Sequence, residues 1–236
     1  MAALDHLVVA ARTLAEGVAW CEQTLGITPG PGGKHPLMGT HNRLFAIGSA
    51  GCPRAYGELI AIDPEARSRR TRWFDLDDAV LQAAIAHGPR LVHWVARTAG
   101  LDAAVAALAV QGIDAGRVLQ ASRTTPQGEL RWRIAVRDDG ARLFGGALPL
   151  PIEWGPIHPA DALPDSGVTL AWLRVAAPDP RALRRALHAL GQAGEAAFDA
   201  MLEVASSGPA LTARLHTPRG TVTLSSPRRS DSPWHR

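Results

Sequence analysis

The feature that most constrains this chain is that it repeats itself. Residues 4–27 read LDHLVVAARTLAEGVAWCEQTLGI and residues 91–113 read LVHWVARTAGLDAAVAALAVQGI. Such self-similarity marks one supersecondary unit present more than once, with the copies expected to bury their apolar faces against each other. In each copy a strand rich in Val and Leu carries one histidine, His6 or His93. Each strand leads into a helix whose apolar residues recur at helical spacing: Leu14, Val18, Cys21 and Leu25, then Leu101, Val105 and Leu108. Both helices are expected to stop on glycine, Gly26 and Gly112, which adopts the left-handed conformation of a C-terminal cap without penalty.

Three strand-like segments follow each helix. In the first copy they span about 27–38, 40–48 and 54–62; in the second, about 117–124, 130–137 and 146–154, with turn formers between them. Both copies therefore read β-α-β-β-β. The segment RWFDLDDAVLQAAIAHG between them reads as a connector helix, with Asp75 or Asp77 placed to cap its start and Gly88-Pro89 to end it. After a proline-rich linker at 155–164, a third strand-helix-glycine unit begins at GVTLAWLRVAAPDPRALRRALHALG, with Pro180 at the helix start. AFDAMLEVASS, ALTARLHTPRG and TVTLSS would supply its remaining strands. Ala171 or Trp172 falls in its histidine slot, so this copy keeps the frame without the imidazole. The expected organisation is a first module at 1–64, a connector at 65–87, a second module at 88–157 and a degenerate third module at 158–236.

Composition narrows the function classes. Hydrophobic residues at 46% and charged residues at 20% suit a soluble globular protein. No apolar run reaches the roughly 20 residues that a membrane helix needs. The N-terminus lacks the basic lead-in of a secretory signal, and Asp5 and His6 interrupt its apolar stretch, so a cytoplasmic location is expected. The net charge of +3 is mild. Its basic clusters, at Arg67, Arg69, Arg70 and Arg72 and in the tail at 227–236, read as solvated segments rather than a nucleic-acid face. Lys34 is the single lysine, which with the alanine and glycine content suggests a GC-rich bacterial coding sequence. Cys21 and Cys52 show neither metal nor disulfide spacing and read as buried thiols.

This pattern resembles the vicinal oxygen chelate superfamily, and in YGELIAID and MGTHNRLFAIG especially its glyoxalase-like branch. The resemblance implies an α+β fold in which two β-α-β-β-β modules pair into a cup-shaped mixed sheet, here with a third similar module at the C-terminus. It also implies metal ligands on the first and last strand of each module: His6, Glu58, His93 and Glu153. Carboxylates among apolar neighbours are costly without a partner, and a divalent cation is one such partner. Two imidazoles with two carboxylates suit Zn²⁺, Ni²⁺, Co²⁺, Mn²⁺ or Fe²⁺. Glu153 is the weakest of the four, because Pro149 and Pro151 disturb its strand.

The expected activity is that of a metal-dependent lyase or isomerase acting on a small vicinal-oxygen or dicarbonyl-derived molecule, with Glu58 or Glu153 as the catalytic base. His41, Arg43, Trp94, Arg131 and Arg133 are candidate substrate contacts, and Trp154 a candidate cup wall. A metal-free small-molecule binding protein is the alternative; a ring-cleaving dioxygenase is a more distant one. The expected partner is a small molecule, with neither nucleic acid nor membrane. The unpaired third module is expected either to cover the first pair within the chain or to pair across a homodimer. His35, His158 and His216 have no visible partner and read as structural.

Overall fold

The computed structural model describes residues 3–126, 128–191 and 201–227. The two repeats meet through their first strands. β1 (Ala3–Ala10) runs parallel to β4 (Tyr56–Ile62) on one side and antiparallel to β5 (Arg90–Arg97) on the other. β2 (Gly30–His35) and β3 (Thr40–Ala46) complete the first half. β6 (Arg117–Thr125), β7 (Gly128–Val136) and β8 (Leu150–Trp154) complete the second. The order β2-β3-β4-β1-β5-β8-β7-β6 is the same in each half about the β1–β5 junction, as two copies of one unit related by a local twofold would give. The sheet curls into a cup that brings its edge strands face to face, with the Arg123 side chain of β6 lying against Gly33 of β2.

Alternation along the strands divides inside from outside. Val8, Asn42, Leu44, Glu58 and Ile60 face the cup, whereas Leu7, Val9, Phe45 and Leu59 belong to the core on the outer face. That face is covered by α1 (Leu14–Trp20) and α3 (Leu101–Val110). Thr13 caps α1 by accepting from the Glu16 amide, and the helix continues as a π-helical turn to Leu25 before ending on Gly26 at φ 76°. Cys21 and Cys52 are buried thiols, neither of them in a disulfide, and burial pushes the Cys21 pKa up to about 12.

The third unit contributes β9 (Thr169–Ala176), α4 (Pro180–Ala189), β10 (Leu202–Ala205), β11 (Leu211–Thr217) and β12 (Gly220–Ser225). Residues 197–200 of its expected second strand lie outside the described residues. It keeps the β-α-β-β-β sequence but not the pairing. In the first two units the first strand pairs with the last, whereas β9 pairs with β10 and β11 in the order β10-β9-β11-β12. Leu170, Leu173, Val175 and Leu183 share one core with Leu7, Val9 and Trp94, and the Leu170 amide donates to the Ile47 carbonyl at 3.0 Å. Cover within one chain is thus the arrangement formed.

The connector departs most from expectation. Its helix, α2 (Ala79–Ala86), is capped by Asp78, whose carboxylate accepts from the Leu81 amide. Asp75 and Asp77 are engaged elsewhere, with Arg142 at 2.8 Å and with Arg72. The residues before the helix form a strap that enters the cup. Trp73, Phe74, Leu76, Leu81 and Ile85 pack there with Val8, Ile60, Val95 and Ile152. Phe74 and Asp75 have φ of 62° and 57°, which costs non-glycine residues about 1 to 2 kcal/mol each. The strap is pinned by the Asp75 amide on the Gly140 carbonyl, by Arg70 on the Arg137 carbonyl, and by Arg142. Arg70 and Arg72 are therefore fastenings of the strap rather than part of a solvated run.

Candidate active site

Two bulges in the central strand pair set the site. Leu4 lies opposite Ala96 and His6 opposite Val95, leaving Asp5 unopposed; Val8 lies opposite His93 and Val9 opposite Leu91, leaving Val92 unopposed. A bulge re-aims the side chains around it. Each bulge residue immediately precedes the histidine of its unit, but one is an aspartate and the other a valine, and that difference sets the two histidines apart.

Asp5 is fully buried. Its Oδ1 lies 2.7 Å from His6 Nδ1, while Oδ2 accepts from Trp154 Nε1 and lies 2.9 Å from His158 Nε2. On its other side, His6 Nε2 stands 3.5 Å from Glu58 Oε2, and Tyr56 stacks on the imidazole with centroids 4.6 Å apart. Asn42 Nδ2 donates to Glu58 Oε1, and Asn42 Oδ1 accepts from the Gly33 amide at 2.7 Å. His35 lies beyond, 3.0 Å from the Thr40 hydroxyl and 4.0 Å from Glu58.

These contacts fix the charges. Burial disfavours a charged His6, but its hydrogen bonds to Asp5 and Glu58 outweigh burial and hold the pKa up to about 9. Burial likewise opposes ionisation of Glu58 and Asp5, and the histidine contacts reverse it, keeping both below the usual carboxylate range. A buried Asp5⁻–His6⁺–Glu58⁻ chain results at neutral pH. His35 is driven the other way, to about 4, by burial and by the positive charges of Arg123 and His6. Burial, with Arg142 and His6 nearby, also holds His93 well below its ordinary value.

The chain lines a narrow pocket walled by Trp73, Trp132 and Trp154, with Arg123 at its side. Its free centre of about 30 Å³ holds roughly one water molecule.

Of the residues singled out in the sequence, His6 and Glu58 are brought together in this pocket. His93 lies on the cup side of β5 but is fully buried, with its ring packed against Phe74 at 5.3 Å. Glu153 requires correction. Ile152 and Trp154 line the cup, so alternation turns Glu153 outward, where its Oε2 accepts from Arg133 Nη1 at 2.8 Å. Parity rather than the neighbouring prolines decides its direction. The same rule places the proposed substrate contacts relative to this pocket. His41 and Arg43 flank the inward Asn42 and face out. Arg131, paired with Glu129, and Arg133, paired with Asp102 of α3, flank the inward Trp132. Trp94 belongs to the outer core and donates to the Ala147 carbonyl at 2.9 Å, so Trp154 walls the cup and Trp94 does not.

As placed, the four expected ligands do not fit one metal centre: Phe74 packs over His93, and Glu153 is on the far face. Among the described residues no group of three or more His, Cys, Asp or Glu is arranged to hold a metal ion.

The sequence reading missed Asp5, His35, Tyr56, Trp73, Arg123, Trp132 and His158. Asp5 had a signal, an acid in an apolar strand next to a histidine. His158 caps a short helical turn at Pro159–Ala162 while reaching Asp5, a tertiary contact with no local signature.

The profile of the glyoxalase-like domain family matches residues 4–191. A search of curated proteins gives no match. Among solved structures, a hypothetical protein from Staphylococcus aureus aligns over 97% of this chain and 87% of its own, at 12% identity and a TM-score of 0.54, which speaks for the fold. Methylmalonyl-CoA epimerase from Streptomyces coelicolor, in complex with 2-nitronate-propionyl-CoA, aligns over 66% of this chain and 96% of its own, at 18% identity and a TM-score of 0.40. The epimerase from Mycobacterium tuberculosis aligns over 67% and 91%, at 22% identity and 0.38.

Proposed function

Because this chain belongs to the glyoxalase-like domain family of the vicinal oxygen chelate superfamily, we propose that it is a small-molecule enzyme of isomerase or lyase type, with Glu58 as its proton-transfer group. Divalent metals are common in the superfamily, but the donor set in this cup does not fit one, and the proposed steps use side chains alone. The reading is carried by one observation, the buried Asp5–His6–Glu58 chain inside the cup.

Glu58 is ionised and able to accept a proton from a carbon next to a carbonyl. The C–H electron pair moves onto the carbonyl oxygen, giving an enediolate-like species. Protonating Glu58 removes the negative charge that faces His6 Nε2, so that N–H becomes available to the new oxyanion while Asp5 holds the ring cationic from behind. Return of the proton to the neighbouring carbon completes an isomerisation; loss of a leaving group completes a lyase reaction. Because its neighbours also lower the basicity of Glu58, the substrate has to acidify its own C–H bond, as vicinal-oxygen compounds do.

The test is deuterium uptake from D₂O into a panel of small dicarbonyl, 2-oxo and 2-hydroxy compounds, followed by NMR. Glu58→Gln should slow it by about 10² or more, the usual scale of general-base removal; uptake at the wild-type rate in that variant would remove Glu58 from this role. A second reading, binding without turnover, is favoured by the wall of Trp73, Trp132 and Trp154. It predicts quenching of tryptophan fluorescence by panel members with no deuterium uptake in the wild type.

A further inference from the structure

We propose that the same cup contains an anion subsite, built from Arg123 and Trp73, that takes the carboxylate of a small organic acid. The inference rests on the reading of the cup as a small-molecule site and names the class of molecule.

Arg123 lies on the cup side of β6, following Leu119 and Ala121 in alternation, and crosses to the opposite edge of the sheet. There it lies on Gly33, where a Cβ would come within 2.0 Å of Arg123 Nη1. At Gly32 a Cβ would lie 2.2 Å from the Asn42 carbonyl oxygen. The two glycines thus leave the room that the guanidinium and Asn42 occupy. Arg117, Arg131, Arg133, Arg137 and Arg142 of the same unit each have a carboxylate partner. Among the described residues Arg123, like Arg90 and Arg97, has none, and its Nε and Nη1 are buried without a hydrogen bond. Trp73 Nε1, in the lining of the same pocket, is likewise buried and unpartnered.

Buried donors are almost always satisfied, and leaving them bare is costly. Three such donors on two residues lining one pocket call for an acceptor-rich group, and a guanidinium among them calls for an anion. The flat indole walls and narrow centre suit a planar carboxylate better than a tetrahedral phosphate. With its carboxylate on Arg123, a small acid would share the pocket with Glu58.

Tryptophan-fluorescence titration with acetate, its neutral isostere acetamide, and inorganic phosphate tests the subsite. Acetate should bind the wild type at least about tenfold more tightly than either of the others. Arg123→Gln should abolish that preference. Gly33→Ala should do the same, because it keeps the charge but displaces the guanidinium. Glu58→Gln should retain acetate binding or tighten it by removing a like charge, so a failure of the proton-transfer reading leaves this result standing. Equal binding of acetate and acetamide, preference for phosphate, or an unchanged preference in both Arg123→Gln and Gly33→Ala would overturn the subsite.

Discussion

Raising the pH from 6.5 to 9 should destabilise this fold through His6. The side chain is 5% exposed and its pKa is held up to about 9, against 6.5 in the unfolded chain. Below pH 6.5 the group is protonated in both states and its contribution is fully present. Between 6.5 and 9 the unfolded chain has released the proton that the folded protein still binds, so stability falls as pH rises, and above 9 the contribution is gone. At about 1.4 kcal/mol per pH unit the window corresponds to a loss of about 3 kcal/mol. His35, depressed to about 4, and His93, also depressed, act on the other side. The folded state refuses protons that the unfolded chain accepts, so stability also falls below pH 6.5. A maximum near pH 6.5 follows. The assay is urea unfolding monitored by tryptophan fluorescence at half-unit steps, for the wild type and for His6→Gln. The variant should lose less than about 1 kcal/mol over the alkaline window, because the buried imidazole that binds the extra proton is gone. Equal slopes in the two proteins would refute the assignment of His6 as the buried cation.

Glu153→Gln should leave deuterium uptake and ligand quenching unchanged and cost less than about 1 kcal/mol, since its partner Arg133 keeps Asp102 and the pair is partly exposed; a loss of activity would return Glu153 to the site. Gly116→Ala should destabilise by more than about 2 kcal/mol, read as a fall in Tm. Its φ is 84°, and the added Cβ would lie 2.2 Å from the Arg137 amide and 2.3 Å from the Val136 carbonyl.

The duplication was legible because a repeated strand-histidine-helix-glycine pattern survives in the sequence even where few residues match. Helix stops at Gly26 and Gly112 and most strand positions followed from it. Two kinds of information were not legible. The first is parity near bulges and on unpaired segments. His41 or Asn42 faces inward by one residue's phase, and so does Ile152 or Glu153, and no local signal fixed that phase. The second is tertiary closure. Nothing around Arg123 says that it will span the cup to Gly33, and nothing in IHPADA says that His158 will reach Asp5. The connector did carry a hint, since Trp73, Phe74 and Leu76 are too apolar for a solvated linker. The third unit shows the limit of repeat logic, because an identical order of elements formed a different strand pairing.

The strap that enters the cup has a kinetic consequence for the proposed reaction. With free space for about one water molecule beside Glu58, a substrate of the proposed reaction would need the pocket wall, to which Trp73 and Phe74 belong, to move before it could bind. Association then has a ceiling that added substrate cannot lift, the opening frequency of the strap, which for segments of this kind lies in the microsecond to millisecond range. The left-handed backbone at Phe74 and Asp75 raises the energy of the closed form and so narrows its gap to the open one. If the proposed product left by the same route, turnover would be timed by the strap whenever proton transfer is faster than its opening.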